Sequence, residues 1–351
     1  MHPYSDLPPS RFWRTGVAEE NPFFINDIYE KKFALEPKEK IATAGSCFAQ
    51  HISTHLKKNG YNVLDVEPAP NGLAAEKHQR YGFGVYSARY GNIYTMRQLK
   101  QLASEVENES GDSGQRVWSG PSGYVDALRP NVEPKGLSSA ETVLLHRKEH
   151  LEKVKILFET MDVFVFTMGL TEAWEHKRSG IVYPTAPGTI AGSYEEDSYR
   201  FVNYSFEEIV SDFRDFCEVL NRIREQRPFK VILTVSPVPL AATAEERHVL
   251  QSTVYSKSVL RAAAGRLYDT FDFVDYFPSY EIVLNPKFNS VAFRENMRDV
   301  RPEIVNVVMN HFFSQHLPLH VNLANVTSEL NGAEKMTEVV CEEALLEAFA
   351  K

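Results

Sequence analysis

The sequence predicts an α/β fold, a three-layer sandwich built on a parallel sheet of about five strands. Three observations predict it. Short apolar runs at Lys40-Ile41-Ala42-Thr43-Ala44-Gly45-Ser46, Val163-Phe164-Val165-Phe166-Thr167-Met168 and Lys230-Val231-Ile232-Leu233-Thr234-Val235-Ser236 are nearly continuous in small, β-branched or aromatic residues, as strands buried on both faces are. Between them lie segments too long and too polar on one face to be strands, and right-handed crossovers stack such helices on both sides of a sheet. Finally, 43% hydrophobic residues in a chain of 351 suffice to fill a proper core.

In chain order, residues 1–34 read as an N-terminal extension and 35–318 as the main domain. The first strand ends in Gly45-Ser46 and runs into a helix over 47–58, stopped by Asn59-Gly60. Tyr61-Asn62-Val63-Leu64-Asp65 reads as a second short strand. Helices are expected over 139–160, 206–226 and about 250–267, with a weaker fifth strand at Phe273-Val274-Asp275. A last packing helix spans 302–313, with Pro302 in its first turn. Two stretches, 107–138 and 173–205, carry the glycines, prolines and serines of long irregular loops, which at strand ends form sites or lids. The tail is 319–351. Within it, 332–351 reads as an amphipathic helix through Val339, Val340, Leu345, Leu346 and Phe349, packed on the domain or on a second subunit as in a homo-oligomer.

Composition excludes several classes. With 38 Lys and Arg against 47 Asp and Glu, the net charge of −9 gives no overall field to attract phosphate backbones, so nucleic acid is not an expected partner. Cys47, Cys217 and Cys341 are too few and scattered for a disulfide framework or a structural zinc site. The first 26 residues, with Pro3, Pro8, Pro9, Arg11 and Arg14, lack the apolar core of a secretory signal. No run approaches the roughly 18 apolar residues that span a membrane. A cytoplasmic protein with no membrane partner is expected. His51/His55 and His146/His150 share helix faces at i, i+4, but without a third ligand they read as packed or solvated histidines, and no metal is expected. Nucleotide-binding glycine motifs and the G-x-S-x-G elbow are absent.

The sharpest chemical feature is Gly45-Ser46-Cys47-Phe48-Ala49 at the strand-to-helix junction. A side chain there stands at the C-terminal edge of the sheet, where backbone N–H groups at a helix start stabilise an anion. Ser46 reads as a nucleophile or as a plain N-cap; Cys47 reads as a rival nucleophile or as a packing cysteine.

These five residues resemble the name-giving motif of the GSCFA family, itself similar to the SGNH (GDSL-like) hydrolases. The resemblance continues through Phe83-Gly84-Val85, Gly91-Asn92-Ile93-Tyr94-Thr95, the run from Val165 to Gly169-Leu170-Thr171-Glu172, Thr234-Val235-Ser236-Pro237-Val238, Ser256-Lys257-Ser258-Val259-Leu260 and Asp275-Tyr276-Phe277-Pro278-Ser279-Tyr280-Glu281, roughly residues 35 to 315. It implies an SGNH-hydrolase-like fold with Ser46 as nucleophile. Gly91 then matches the oxyanion-hole glycine, with Asn92 beside it. Thr171 replaces the asparagine of the Gly-x-Asn-Asp block, so that Asn92 is a substitute amide donor.

The resemblance also implies Asp-x-x-His before the final helix, where histidine takes the serine proton. Here Asn296 stands in the aspartate place and Asp299 in the histidine place. Three repairs are open: His248 as base from the loop after the fourth strand, Asp299 or Glu172 as a direct carboxylate base, or loss of hydrolysis with ligand binding retained. The expected function is that of a serine esterase or O-acyltransferase acting on an acylated small molecule or carbohydrate. No cofactor is expected, and acyl-CoA is the co-substrate if the reaction is transfer. The non-enzyme alternative is a carbohydrate-binding or polysaccharide-assembly protein on a decayed hydrolase scaffold.

Overall fold

In a computed structural model that describes residues 2–108, 113–316 and 341–350, the buried apolar runs pair as parallel strands. In chain order the strands are β1 (Ile41–Gly45), β2 (Val117–Gly120), β3 (Gly123–Asp126), β4 (Val163–Met168), β5 (Glu172–His176), β6 (Val182–Tyr183), β7 (Tyr199–Asn203), β8 (Lys230–Val235) and β9 (Val274–Tyr276). The helices are α1 (Ala49–Lys58), α2 (Ala75–His78), α3 (Met96–Asn108), α4 (Ala140–Thr160), α5 (Phe206–Ile223), α6 (Val249–Thr270), α7 (Ser279–Val283) and α8 (Pro302–His316). The central sheet has four strands in the order β1-β4-β8-β9, all parallel.

Strand alternation sorts the side chains into two cores, which makes the three layers. Phe164, Phe166, Val231 and Leu233 face Leu99, Val154, Phe213, Phe216 and Leu260 of α3 to α6. Val163, Val165 and Ile232 face Ile52, Leu56, Ile282, Val308 and Phe312 of α1, α7 and α8. Each such fully buried side chain contributes about 1.5–3 kcal/mol. Helix starts are fixed locally. Ser139 caps α4, and Ser205 with Glu208 forms a reciprocal capping box at α5.

The expected strand at Tyr61–Asp65 is reduced to a single bridge between Val63 and Ile41. Its register is set by Ile41 N–H to the Asn62 carbonyl and Leu64 N–H to the Ile41 carbonyl, both 2.9 Å. The ladder stops there because Ser87 takes the next place on β1: its hydroxyl accepts from Thr43 N–H at 2.9 Å, and Val66 N–H turns to the Ser87 carbonyl instead.

The two stretches expected to be irregular carry secondary structure. The first contains the β2–β3 hairpin, and the second a three-stranded antiparallel sheet in the order β6-β5-β7. They share a small core of Trp118, Val125, Ile181, Tyr183 and Tyr199. A buried ionic network ties this unit to the main domain: Asp126 accepts from Arg147 and from Arg129 (2.8 Å), while Glu105 pairs with Arg116 (2.8 Å) and Arg147. Burial raises the Asp126 pKa, but Arg147 and Arg129 outweigh it and hold the carboxyl at about 2.

The C-terminal expectation is also corrected where the structure describes it; residues 332–340 and 351 lie outside the described residues. Glu342–Phe349 is a 3-10 helix, not an α-helix. Its polarity is inverted: Glu342 and Glu343 are buried, whereas Leu345 and Phe349 are 46% and 66% exposed. No helix of the described residues is long and apolar enough to cross a membrane.

Several histidines are held neutral by burial, which lowers His51, His55 and His150 to about 4. The contact of His150 Nδ1 with Glu67 (2.7 Å) is therefore a neutral ring meeting a carboxylate near pH 7. Because these folded pKa values lie below the unfolded value of about 6.5, the unfolded chain takes up protons first as pH falls. Stability should accordingly drop between about pH 6.5 and about pH 4, with a further loss below that as Asp126 protonates. Thermal unfolding followed by circular dichroism should show the midpoint falling by several degrees across that window; a flat midpoint contradicts neutral burial.

Candidate functional site

Three segments are stitched together at the C-terminal edge of the sheet. Ser46 N–H donates to the Thr167 carbonyl (3.0 Å), which continues the β1–β4 pairing by one residue; Ile93 N–H donates to the Gly45 carbonyl (2.9 Å), and Gly169 N–H to the Tyr94 carbonyl (2.9 Å). Two glycines make this possible. Gly45 has φ +136°, and a Cβ there would stand 2.4 Å from the Thr167 carbonyl oxygen; a Cβ on Gly169 would meet the Ser46 Cβ at 2.9 Å and the Tyr94 ring at 3.1 Å.

Ser46 is buried, and its hydroxyl has no hydrogen-bond partner among the described residues. Around it stands a dense polar shell. The Asn92 amide nitrogen donates to Glu342 and to the Tyr94 hydroxyl (3.3 Å), while its oxygen accepts from Tyr86 (2.5 Å) and Gln50 (3.4 Å). Tyr94 also donates to Glu342 at 2.8 Å. Tyr86 bonds the Ser46 carbonyl at 3.0 Å. A Cβ placed on Gly91 would lie 3.7 Å from a Glu342 carboxylate oxygen.

Lys257 of α6 is buried, and its ammonium donates to the Gly169 carbonyl, the residue pressed against Ser46. Burial lowers its pKa to about 8 against the opposing pull of Glu343. Arg298 faces Glu343 (3.6 Å) and Glu347 (3.1 Å). Burial raises Glu343 and brings Glu172 to about 7, although Thr243 donates to Glu172 at 2.8 Å. Cys47 is buried and hydrogen-bonded to Cys341, and both that bond and burial push its thiol up. This favours the packing role over the nucleophilic one.

The residues singled out in the sequence divide accordingly. Ser46, Cys47, Gly91, Asn92 and Gly169 come together at this edge of the sheet, with Glu172 coupled to the C-terminal segment through the charge of Glu343. Thr171 commits its hydroxyl proton to Asn203 (2.6 Å) and its N–H to Ser256 (3.0 Å), which leaves Asn92 as the side-chain amide. His248 is exposed and caps its own helix, its ring nitrogen accepting from Leu250 N–H at 3.1 Å. Asp299 is exposed and bonded to Asn296 (3.0 Å). Neither His248 nor Asp299 bonds the Ser46 hydroxyl, and no other described residue does; each is held instead by a local surface contact.

Sequence reasoning gave no role to Lys257, Arg298, Tyr94, Glu342 and Glu343. For Lys257 a signal existed: it falls on the stripe of Ser252, Ser256, Leu260, Ala263, Ala264 and Leu267 that α6 buries, where a lysine needs a reason.

The sequence model of the GSCFA family matches residues 40–312. The chain belongs to the GSCFA family. Ser46 is thus the serine of this GSCFA protein's own GSCFA segment. A search among curated proteins returned no match. A solved structure similar to this GSCFA chain is a carbohydrate esterase family 3 protein from Talaromyces cellulolyticus, at 8% identity over 83% of this chain and 99% of that one, with a TM-score of 0.34. A likeness that low says nothing about chemistry.

If the close contact at Gly169 organises the edge, Gly169→Ala should cost about 1–3 kcal/mol through overpacking. Urea unfolding measures it, and unchanged stability would show that the neighbours yield freely.

Proposed function

We propose that the protein is an SGNH-like serine esterase or O-acyltransferase, acting on an acylated small molecule or carbohydrate, with Ser46 as nucleophile and Lys257 as general base. The observation that carries this reading is a buried, unpartnered serine hydroxyl beside a glycine whose carbonyl holds a buried ammonium with a pKa of about 8. Neutral Lys257 takes the Ser46 proton while the hydroxyl oxygen attacks the acyl carbon. The Asn92 amide and the Tyr94 hydroxyl donate to the developing oxyanion, a role fixed donors fill well in a dry site. Protonated Lys257 then returns the proton to the leaving oxygen of an ester or the leaving sulfur of a thioester; in the second half, neutral Lys257 takes the proton of water or of a carbohydrate hydroxyl as that oxygen attacks the acyl group, and returns it to the departing Ser46 oxygen. In the transfer variant the donor is an acyl-CoA thioester, and water must be excluded.

A non-catalytic reading, carbohydrate binding or polysaccharide assembly, is favoured by one observation. The place of the family's histidine holds Asp299, which is turned to Asn296 at the surface.

On aryl acetates, Ser46→Ala should abolish turnover, and Cys47→Ala should leave most of it. Lys257→Met should lower the rate on the order of 10² to 10⁴, as loss of a general base does, while His248→Ala and Asp299→Asn change little. Only the neutral amine accepts a proton, so activity should rise with pH through about 8. An ascending limb near 6.5 that disappears in His248→Ala overturns the assignment of Lys257; activity that survives Ser46→Ala but not Cys47→Ala overturns that of Ser46. No turnover on a broad ester and acyl-CoA panel favours the binding protein.

A further inference from the structure

The chain's own C-terminal segment fills the cleft between Asn92, Tyr94, Lys257 and Arg298, and what fills it is charge. Glu342 is 2% exposed and its carboxylate meets the Asn92 amide and the Tyr94 hydroxyl, the same donors assigned to the oxyanion. One residue on, the Glu343 carboxylate faces Arg298 at 3.6 Å, accepts the Ala241 N–H and lies in the field of Lys257. Lys257 and Arg298 are 2% and 9% exposed, and a buried cation without a partner is strongly unfavourable. Were the segment to leave, Arg298 would lose both its carboxylate partners and Lys257 the nearby charge of Glu343, and the Asn92 amide and Tyr94 hydroxyl would lose their acceptor. A ligand that replaces it must restore negative charge at the same positions.

We propose that this cleft is a site for a ligand bearing carboxylate groups, and that Glu342 and Glu343 occupy it as an intramolecular stand-in for that ligand. The proposal rests on the reading of Ser46 as the reactive centre only in making the ligand an acylated acid. The carboxylate site itself stands on Asn92, Tyr94, Lys257 and Arg298. A tethered competitor reduces the apparent affinity of a ligand by the fraction of chains in which the cleft is open.

The test needs no turnover, so it can fail independently of the esterase reading. Succinate, the simplest flexible dicarboxylate, is titrated calorimetrically into the full chain and into its E342Q/E343Q variant. The variant should bind at least about ten-fold more tightly, and adding Arg298→Met should reverse that gain. Equal affinities, or no saturable binding by a folded double variant, overturn the proposal. A second measurement uses the unaltered protein: amide hydrogen exchange of residues 341–350 in sodium succinate against sodium chloride of equal ionic strength. Faster exchange in succinate supports displacement of the segment; identical exchange overturns it. Should Ser46→Ala leave ester turnover intact while succinate still competes, the esterase reading fails and the carboxylate site remains.

Discussion

The cleft depends on a steric constraint: two stretches of backbone at the C-terminal edge of the sheet approach more closely than side chains allow. Gly45 lies on Thr167 and Gly169 lies on Ser46 and Tyr94, each with no room for a Cβ. The parallel register of β1 on β4, which pairs Gly45 with Thr167, delivers both glycines to the same level. From this follow the burial of the Ser46 hydroxyl, the seating of Gly91 to Thr95 against the edge and the exposure of the Gly169 carbonyl to α6. A different residue at either glycine would push the three segments apart and wet the centre.

Burial at that edge sets the electrostatics. Lys257 loses water and is lowered to about 8, Glu172 loses water and rises to about 7, and Glu343 rises as well. Desolvation leads in each case and the partner charges only moderate it. The contrast is with Asp126, equally buried, where two arginines outweigh desolvation. The first arrangement brings Lys257 and Glu172 to about 8 and about 7, within reach of neutral pH. The second holds a carboxylate permanently charged and serves to fasten the β2–β3 hairpin.

The sheet was legible in the sequence because its strands are buried on both faces: Val163 to Met168 and Lys230 to Val235 carry their own signal regardless of context. The edge position at Tyr61 was not, since whether it becomes a strand depends on Ser87 occupying the adjacent ladder site, a contact 44 residues from Thr43. The short antiparallel strands were hidden for a related reason. β6 has two residues, too few to show a period, and is held by the shared core with Trp118. At the site, Ser46 and Asn92 were visible from motif order. Lys257, the proposed base, shows in the sequence only as a lysine on the stripe that α6 buries; that its ammonium reaches the carbonyl of Gly169, the residue against Ser46, is a contact 88 residues apart that chain order does not reveal.

The C-terminal segment illustrates the same limit from the other side. Hydrophobic periodicity assigns Leu345 and Phe349 to the inside, and it fails because the surface they approach is not apolar. The edge of the sheet there presents Asn92, Tyr94, Arg298 and the buried Lys257, and a segment laid on such a surface gains more by burying acceptors than by burying methylenes. Apolar burial at about 25 cal/mol per Å² does not offset a desolvated, unpaired cation. Charge complementarity therefore outranks amphipathicity in deciding which face of Glu342–Phe349 turns inward. The acidic face of this segment is therefore complementary to the polar surface it covers, which is why charge and not periodicity describes how it lies.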